Sequence, residues 1–168
     1  MSRLDSFIRR LEAQRACLDR AAELIAGLHG AVLELGLGNG RTYDHLRELF
    51  QSGNTPWRDI YVCERQVAAH PDCIPPADRL LLGDMFDTLP AASHLVGRVA
   101  LAHFDAGTGD AAANRDLAAG LRPLIVPILC SGGVLATQQV MACPELAPLP
   151  LPDGVAAGRY HLYWRIET

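Results

Sequence analysis

A short apolar run followed by alternating glycines constrains the fold of this chain more than any other stretch. The run Ala31–Leu35 predicts a buried strand, and the apolar residues of 41–50 recur at helical spacing. Between them lie three glycines: Gly36, Gly38 and Gly40. Glycine permits positive φ and close approach of a ligand, and the following helix presents free N–H groups at its first turn. The order predicts a parallel α/β sheet with a nucleotide-like ligand at the carboxyl end of the first strand.

The spacing of the glycines separates two classes of cofactor. A dinucleotide fingerprint needs glycine or alanine three positions after the second glycine, where this chain has Arg41. The actual pattern, Glu34-x-Gly36-x-Gly38-x-Gly40, resembles the first motif of class I S-adenosylmethionine-dependent methyltransferases. That resemblance implies S-adenosyl-L-methionine as the cofactor. Its cationic amino group would favour Glu34, whereas a pyrophosphate would be repelled by that carboxylate.

Two later acidic residues match further motifs of the same family. The predicted strand Asp59–Cys63 ends at Glu64, which in the family accepts hydrogen bonds from the ribose hydroxyls. The predicted strand Arg79–Leu82 is followed by a Gly-Asp pair that resembles the adenine-binding motif, although Asp84 also fits an N-cap. The resemblance covers residues 31–137. It implies these cofactor-binding residues: Glu34, Gly36, Leu37, Gly38, Asn39, Gly40, Thr42, Glu64, Arg65, Gly83, Asp84, Met85 and Asp105.

The fourth predicted strand, Val99–Phe104, leads to the candidate catalytic groups. In the family, the residues after this strand face the methyl group, so Asp105 and His103 are candidate acid–base groups. A buried sheet histidine is an equally good interpretation of His103. The Asn-Pro-Pro-Tyr and Asp-Pro-Pro-Tyr motifs are absent, which argues against amino groups of bases and glutamine as acceptors. No spacing of cysteine, histidine and carboxylate residues matches a metal site, so none is expected.

The order of elements predicts the fold class. We expect an α/β, doubly wound, Rossmann-like and mostly parallel sheet with helices on both faces. Its strand order would be 3-2-1-4-5 plus an antiparallel edge strand at Arg159–Ile166, where β-forming residues alternate. Residues 141–158 contain four prolines and are predicted to form a loop. Pro123 is expected in the first turn of a helix, and Gly132-Gly133 just before the fifth strand, Val134–Thr137.

Residues 1–30 are predicted to form an amphipathic helix within the same domain as the cofactor-binding residues 31–168. Its apolar residues have near-heptad spacing, and arginine and carboxylate side chains form the other face. We expect this helix to pack on the sheet and also to contact a second copy of the chain, giving a homo-oligomer. A lid over the cofactor is the alternative.

Composition limits the partners. The chain has 168 residues and a net charge of −4, and all of its basic residues are arginine. It shows no basic stretch, so nucleic acid is not the expected partner. The absence of lysine excludes Schiff-base chemistry and a P-loop lysine. No apolar stretch is long enough to span a membrane and no secretory signal is visible, so a cytoplasmic protein is expected.

These observations predict a methyltransferase that uses S-adenosyl-L-methionine and a small-molecule acceptor. The chain is short and acidic and lacks the inserts that cover large substrates. Two alternatives stay open. A non-catalytic cofactor-binding or assembly protein would explain the small size and the missing sheet strand. A nicotinamide-dependent dehydrogenase shares the strand–glycine–helix unit and the acid after the second strand.

Overall fold

The computed structural model describes residues 2–52 and 55–167; Met1 and Thr168, which end the predicted helix and domain, lie outside them. Four α-helices are present in the described ranges: α1 Arg3–Leu24, α2 Arg41–Arg47, α3 Met85–Ala91 and α4 Ala111–Ile125. Seven strands form the sheet: β1 Ala31–Leu35, β2 Ile60–Glu64, β3 Leu80–Leu82, β4 Val99–Phe104, β5 Leu129–Thr137, β6 Leu146–Pro148 and β7 His161–Arg165. None of these helices is both long and apolar enough to cross a bilayer.

The strands form one mixed sheet in the order β3-β2-β1-β4-β5-β7-β6. The first five are parallel, and β7 is antiparallel to both of its neighbours. The predicted α/β class and the order 3-2-1-4-5 are therefore confirmed. The register places Glu34 of β1 beside His103 of β4, which brings two ionisable side chains together in the middle of the sheet.

The edge of the sheet differs from the prediction. The strand β7 is not the edge strand, because β6 pairs with it on the outer side. The prediction that residues 141–158 form only a loop was wrong, since β6 lies within them. An edge strand tolerates proline because one of its sides needs no ladder hydrogen bonds, and Pro148 ends β6. The strand that seemed to be missing is therefore present.

Two apolar cores lie on opposite faces of the sheet. One core includes buried side chains of α1, α2 and the π-helical turn Glu48–Ser52, and the other includes those of α3 and α4. The strand β5 begins earlier than predicted and contains Gly132 and Gly133. Pro123 lies in the last turn of α4 instead of the first turn of another helix, where it removes only one helical hydrogen bond.

Helix α1 is shorter than the predicted 1–30 and is buried only in part. It begins with a capping box between Ser2 and Asp5 and ends at Leu24. Its carboxyl-terminal half packs against β5 and β7, burying Cys17 and Leu18. The predicted apolar stripe continues toward the amino terminus, but there Phe7 and its neighbours are exposed.

Candidate functional site

A cavity of about 570 Å³ opens at the carboxyl ends of the parallel strands. The loops after β1, β2, β3 and β4 form most of its wall, and α1 contributes the rest. This is where an open α/β sheet binds its ligands, because the loops after adjacent strands diverge there. Among the predicted cofactor-binding residues, all except Gly40 line the cavity.

The glycine turn after β1 needs its glycines for different reasons. Gly36 has φ +100°, and a Cβ there would lie 3.1 Å from the Cβ of Ala106. Gly40 has φ +87° and precedes α2, and a Cβ there would lie 2.4 Å from the Cβ of Cys73. Gly38 has φ +52°, and a Cβ there would meet open space. The backbone at Gly38 is therefore accessible from the cavity, whereas Gly40 serves the packing of the turn.

The carboxylate of Glu64 holds the glycine turn in place. Its Oε2 accepts hydrogen bonds from the backbone N–H groups of Leu37 (2.8 Å) and Gly38 (3.1 Å). Its Oε1 accepts from those of Arg65 (2.7 Å) and Gln66 (3.0 Å). Burial alone would raise the pKa of Glu64, but the four N–H donors outweigh it and hold the pKa below its usual value. Glu64 is thus an ionised side chain that joins β2 to the turn after β1.

Beyond β3, the predicted Gly-Asp-Met segment forms another part of the wall. Asp84 is the N-cap of α3, and its Oδ1 accepts a hydrogen bond from the N–H of Phe86 at 2.9 Å. Its other carboxylate oxygen is 4.0 Å from the guanidinium of Arg65, which is largely exposed. Met85 and Phe86 add apolar surface to the same wall. The capping role predicted for Asp84 is present, and its side chain still borders the cavity.

Glu34 lies at the inner end of the cavity and is only 2% exposed. Its Oε2 is 2.6 Å from Nδ1 of His103. When Glu34 is ionised its carboxylate only accepts hydrogen bonds, and the imidazole Nδ1–H is then the donor. Burial raises the pKa of Glu34, and the neighbouring His103 offsets part of that rise.

Asp105 follows β4 and connects the wall of the cavity to α1. Its Oδ2 accepts from Gln14 Nε2 at 2.7 Å and from the guanidinium of Arg10 at 3.2 Å. Burial raises the pKa of Asp105, although His103, Arg10 and the Gln14 hydrogen bond act in the opposite direction. A raised pKa makes the Asp105 carboxylate a stronger base, and its place at the cavity wall lets it face a ligand.

His103 does not line the cavity. The residue is completely buried, and its Nε2 is within hydrogen-bond distance of the hydroxyl of Tyr160, which is buried as well. Burial alone would lower the pKa of His103, but the nearby carboxylates of Glu34 and Asp105 raise it overall. Its position differs from that of Asp105, which borders the cavity.

Several residues that line the cavity were not among those predicted from the sequence. Helix α1 supplies Arg10, Leu11 and Gln14. The loop after β4 and helix α4 supply Thr108 and Leu117. The remaining ones are Arg41, Phe86, Ala106 and Gly107. Arg10 and Gln14 lie about one turn apart on α1, and the packing of α1 against β5 and β7 brings both to Asp105.

A second cavity of about 470 Å³ lies beside the first, and Thr108 lines both. Its wall is rich in amide side chains and has one charged residue, Arg159. Asn114 of α4 holds the shared loop by accepting from the N–H of Thr108 and donating to its carbonyl, both at 2.7 Å. In the described ranges, no group of three or more His, Cys, Asp or Glu is arranged to hold a metal ion.

Comparison with known families agrees with this geometry. The profile of a family described as S-adenosyl-L-methionine methyltransferase matches residues 1–165. The match therefore includes α1 as well as the sheet. No curated protein matches this chain significantly.

Two solved structures resemble the chain to different degrees. The crystal structure of an S-adenosyl-L-methionine methyl transferase from Silicibacter pomeroyi DSS-3 shares 46% sequence identity, with a TM-score of 0.90 over 98% of this chain and 99% of that one. TrmN from Thermus thermophilus shares 15% identity, with a TM-score of 0.53 over 88% of this chain. The matched region is 47% of TrmN, and the likeness concerns the fold alone.

Proposed function

This chain belongs to the family of S-adenosyl-L-methionine methyltransferases, and we propose that it transfers the methyl group of that cofactor to a small-molecule acceptor. Family membership decides between the two cofactors that the strand–glycine–helix unit and the acid after the second strand left open. The cofactor is S-adenosyl-L-methionine, and the nicotinamide alternative is wrong.

The residues of the first cavity fit this cofactor. Its volume of about 570 Å³ lies within the range of roughly 300–1,000 Å³ that is typical of sites for ligands of this size. The accessible backbone at Gly38 lets a ligand approach the turn closely. Carboxylates line the cavity from one end to the other, which suits a ligand that carries a sulfonium and an ammonium group: Glu34, Glu64, Asp84 and Asp105.

We assign the cofactor contacts from these positions. Glu34, at the inner end, binds the ammonium group. Glu64 accepts from the ribose hydroxyls in shared hydrogen bonds, because its four backbone donors already contact both carboxylate oxygens. Asp84 accepts from the adenine amine, while Met85 packs against the ring. The remaining predicted residues of the glycine turn and of the loop after β3 supply backbone contacts.

Methyl transfer requires little chemistry from the protein. S-adenosyl-L-methionine supplies an activated methyl group, so the residues of the chain mainly exclude water and align the reactants. When the acceptor must lose a proton, Asp105 receives it. Arg10 and Gln14 occupy Oδ2 of Asp105, and no hydrogen bond within the described ranges uses its Oδ1.

The observation that carries the proposal for the acceptor is the junction of the two cavities at Thr108. Because the two cavities meet, an acceptor bound in the second cavity would lie next to the cofactor, with no segment of the protein between them. Arg159 is the charged residue of that wall, and no ion pair within the described ranges involves it. We therefore propose a small anionic acceptor, such as a carboxylate or phosphate compound, that pairs with the Arg159 guanidinium.

The experiment is a methyl-transfer assay with radiolabelled S-adenosyl-L-methionine and paired acceptors. Each pair consists of a small carboxylate or phosphate compound and its uncharged ester or amide. Total RNA and a protein lysate provide macromolecular acceptors. We expect turnover on an anionic member of the panel and weaker turnover on its neutral partner.

A pair of variants tests the role of Arg159. The loss of a charge-assisted hydrogen bond in Arg159→Gln should raise the KM for the anionic acceptor about tenfold. Arg115→Gln is the matched control, because Arg115 is exposed on α4 and lines neither cavity. Turnover on RNA or protein with none on small molecules would contradict the proposal, and so would cofactor binding without turnover on any acceptor.

A further inference from the structure

A buried polar chain runs from the cavity into the core of the protein. It joins Glu34 of β1, His103 of β4 and Tyr160, the residue before β7. These side chains are 2%, 0% and 0% exposed. The hydrogen bonds between these groups offset the cost of burying them and give each side chain a defined orientation.

The hydrogen bonds of His103 determine the orientation of Glu34. Its Nδ1–H donates to Oε2 of Glu34, and its Nε2 pairs with the Tyr160 hydroxyl. The hydroxyl can donate to a neutral imidazole or accept from a charged one, so the Nδ1 bond persists in both states. Within the described ranges, no hydrogen bond uses Oε1 of Glu34, a residue that lines the cavity. That oxygen is available to a donor on the ligand.

A second branch connects the same cluster to α1. Gln14 Nε2 is 2.7 Å from Asp105 Oδ2 and 3.4 Å from His103 Nε2. Arg10 donates to the same oxygen of Asp105. With His103 protonated, the two carboxylates are balanced by one imidazolium and one guanidinium. The cluster is then neutral and can stay buried without an unpaired charge.

We propose that His103 and Tyr160 are positioning residues that hold the Glu34 carboxylate in the orientation that binds the ammonium group of the cofactor. The inference rests on the role proposed above for Glu34. It also assigns His103 a function other than acid–base catalysis, because the imidazole is completely buried and the cavity wall does not include it.

The test compares two ligands that differ in the group Glu34 would bind. S-adenosylhomocysteine carries the ammonium group, whereas 5′-methylthioadenosine has the same adenosine and thioether without the amino-acid portion. A positioning role affects only the first ligand. A general loss of structure weakens the binding of both. Calorimetric titration of each ligand gives the two dissociation constants.

Two tyrosines on the same segment supply a matched pair of variants. Tyr160→Phe removes the hydroxyl that supports His103 and keeps the ring. Tyr163→Phe removes a hydroxyl that accepts from the N–H of Met141 on the other face of the sheet. Both tyrosines are buried, at 0% and 4% exposure, so each substitution costs one buried hydrogen bond.

We expect Tyr160→Phe to weaken S-adenosylhomocysteine binding about five- to tenfold, the ratio that one hydrogen bond supports, with methylthioadenosine binding within about twofold of wild type. Tyr163→Phe should leave both affinities within about twofold. Equal weakening of both ligands by Tyr160→Phe, or no weakening of either, would overturn the inference.

Glu34→Gln separates failure of the inference from failure of the proposed site. This variant should weaken S-adenosylhomocysteine binding about tenfold or more, again with little effect on methylthioadenosine. If Glu34→Gln leaves the ratio of the two affinities unchanged, the role of Glu34 is wrong, and the inference falls with it. If Glu34→Gln changes the ratio and Tyr160→Phe behaves like Tyr163→Phe, only the inference is wrong.

Discussion

At the scale of single residues, the loop geometry of the site depends on Glu64. One carboxylate accepts four backbone hydrogen bonds, two from the glycine turn and two from its own loop. A ligand that binds these loops thus finds them already ordered, which lowers the entropy that binding must overcome. Glu64 is an organising residue of the turn as well as a proposed ribose contact.

We predict that Glu64→Gln destabilises the protein by about 1–3 kcal/mol at neutral pH, because an amide oxygen replaces two carboxylate oxygens and leaves N–H groups without an acceptor. Urea denaturation measures the change. An exposed carboxylate on α1, Glu12, provides the control as Glu12→Gln, which should change stability by less than about 0.5 kcal/mol.

The lowered pKa of Glu64 predicts that the stability of the protein depends on pH. The pKa of Glu64 is lowered in the folded state from its ordinary value of 4.5. A depressed pKa contributes stability above the unfolded value, and that contribution is lost as the pH falls through the folded value. Between pH 7 and pH 3, the wild type should therefore lose more stability than Glu64→Gln. Parallel acid-induced stability curves for the two proteins would contradict this expectation.

Substitutions of the glycines in the turn should lower the stability of the protein by unequal amounts. Gly40→Ala combines positive φ with a Cβ that would overlap the Cβ of Cys73, so we expect a loss of about 2–4 kcal/mol. Gly38→Ala meets open space and should cost about 1 kcal/mol, the strain of the left-handed conformation. Urea denaturation of both variants checks the order. A larger loss for Gly38→Ala would contradict the geometry of the turn.

At the scale of elements, α1 depends on a distant side chain for its carboxyl-terminal end. The helix has no basic residue in its last turn. Arg58, which is only 4% exposed, donates instead to the carbonyl oxygens of Ile25, Leu28 and Gly30. Ile25 is the C-cap residue of α1, whereas Leu28 and Gly30 lie in the loop between α1 and β1, so Arg58 connects the helix end to that loop. The carboxyl-terminal end of α1 is therefore anchored from the loop before β2.

We predict that Arg58→Leu destabilises the protein by about 2–4 kcal/mol, since it removes three hydrogen bonds and leaves the part-buried carbonyl groups of Leu28 and Gly30 without the donors that Arg58 supplies. Amide hydrogen exchange should accelerate in the carboxyl-terminal half of α1. The control is Arg20→Leu, which removes a surface pair with Glu23 and should cost less than about 1 kcal/mol. Unchanged exchange in α1 would show that Arg58 does not anchor the helix.

At the scale of the whole molecule, α1 serves the core and the surface at once. Its carboxyl-terminal half is part of the core on one face of the sheet. Near its amino terminus, Leu4, Phe7 and Ile8 are exposed by 66%, 43% and 44%. These side chains lie on the same helix as Arg10 and Leu11 of the cavity wall. Self-association through this helix, expected from the sequence, stays a prediction.

Sedimentation velocity across a range of protein concentrations tests whether the chain self-associates through α1. We expect the wild type to form dimers, because burying three apolar side chains removes apolar surface from water. A charge at the centre of the patch, Phe7→Glu, should shift the protein to monomers. Val140→Glu is the control, since Val140 is also exposed, at 65%, but lies outside α1. A monomeric wild type at all concentrations would contradict the prediction.

The sequence by itself determined the order of the elements and the position of the first cavity, at the carboxyl ends of the parallel strands. Glycine turns, strand alternation and helical spacing act between neighbours along the chain, so local physics sets them. The strand with its alternating glycines placed the cavity before any contact was known. Prolines misled the prediction for residues 141–158, because their cost depends on whether a strand lies at an edge.

Only the tertiary structure decided the partners of the site residues. The pairing of Glu34 with His103 depends on the register between β1 and β4. The contacts of Asp105 depend on how α1 packs across the sheet. These pairs are separated by many residues in the chain, and no local preference encodes which side chains meet. Their partners follow from packing, which explains why His103, a candidate acid–base group in the sequence, lies in a buried network in the structure.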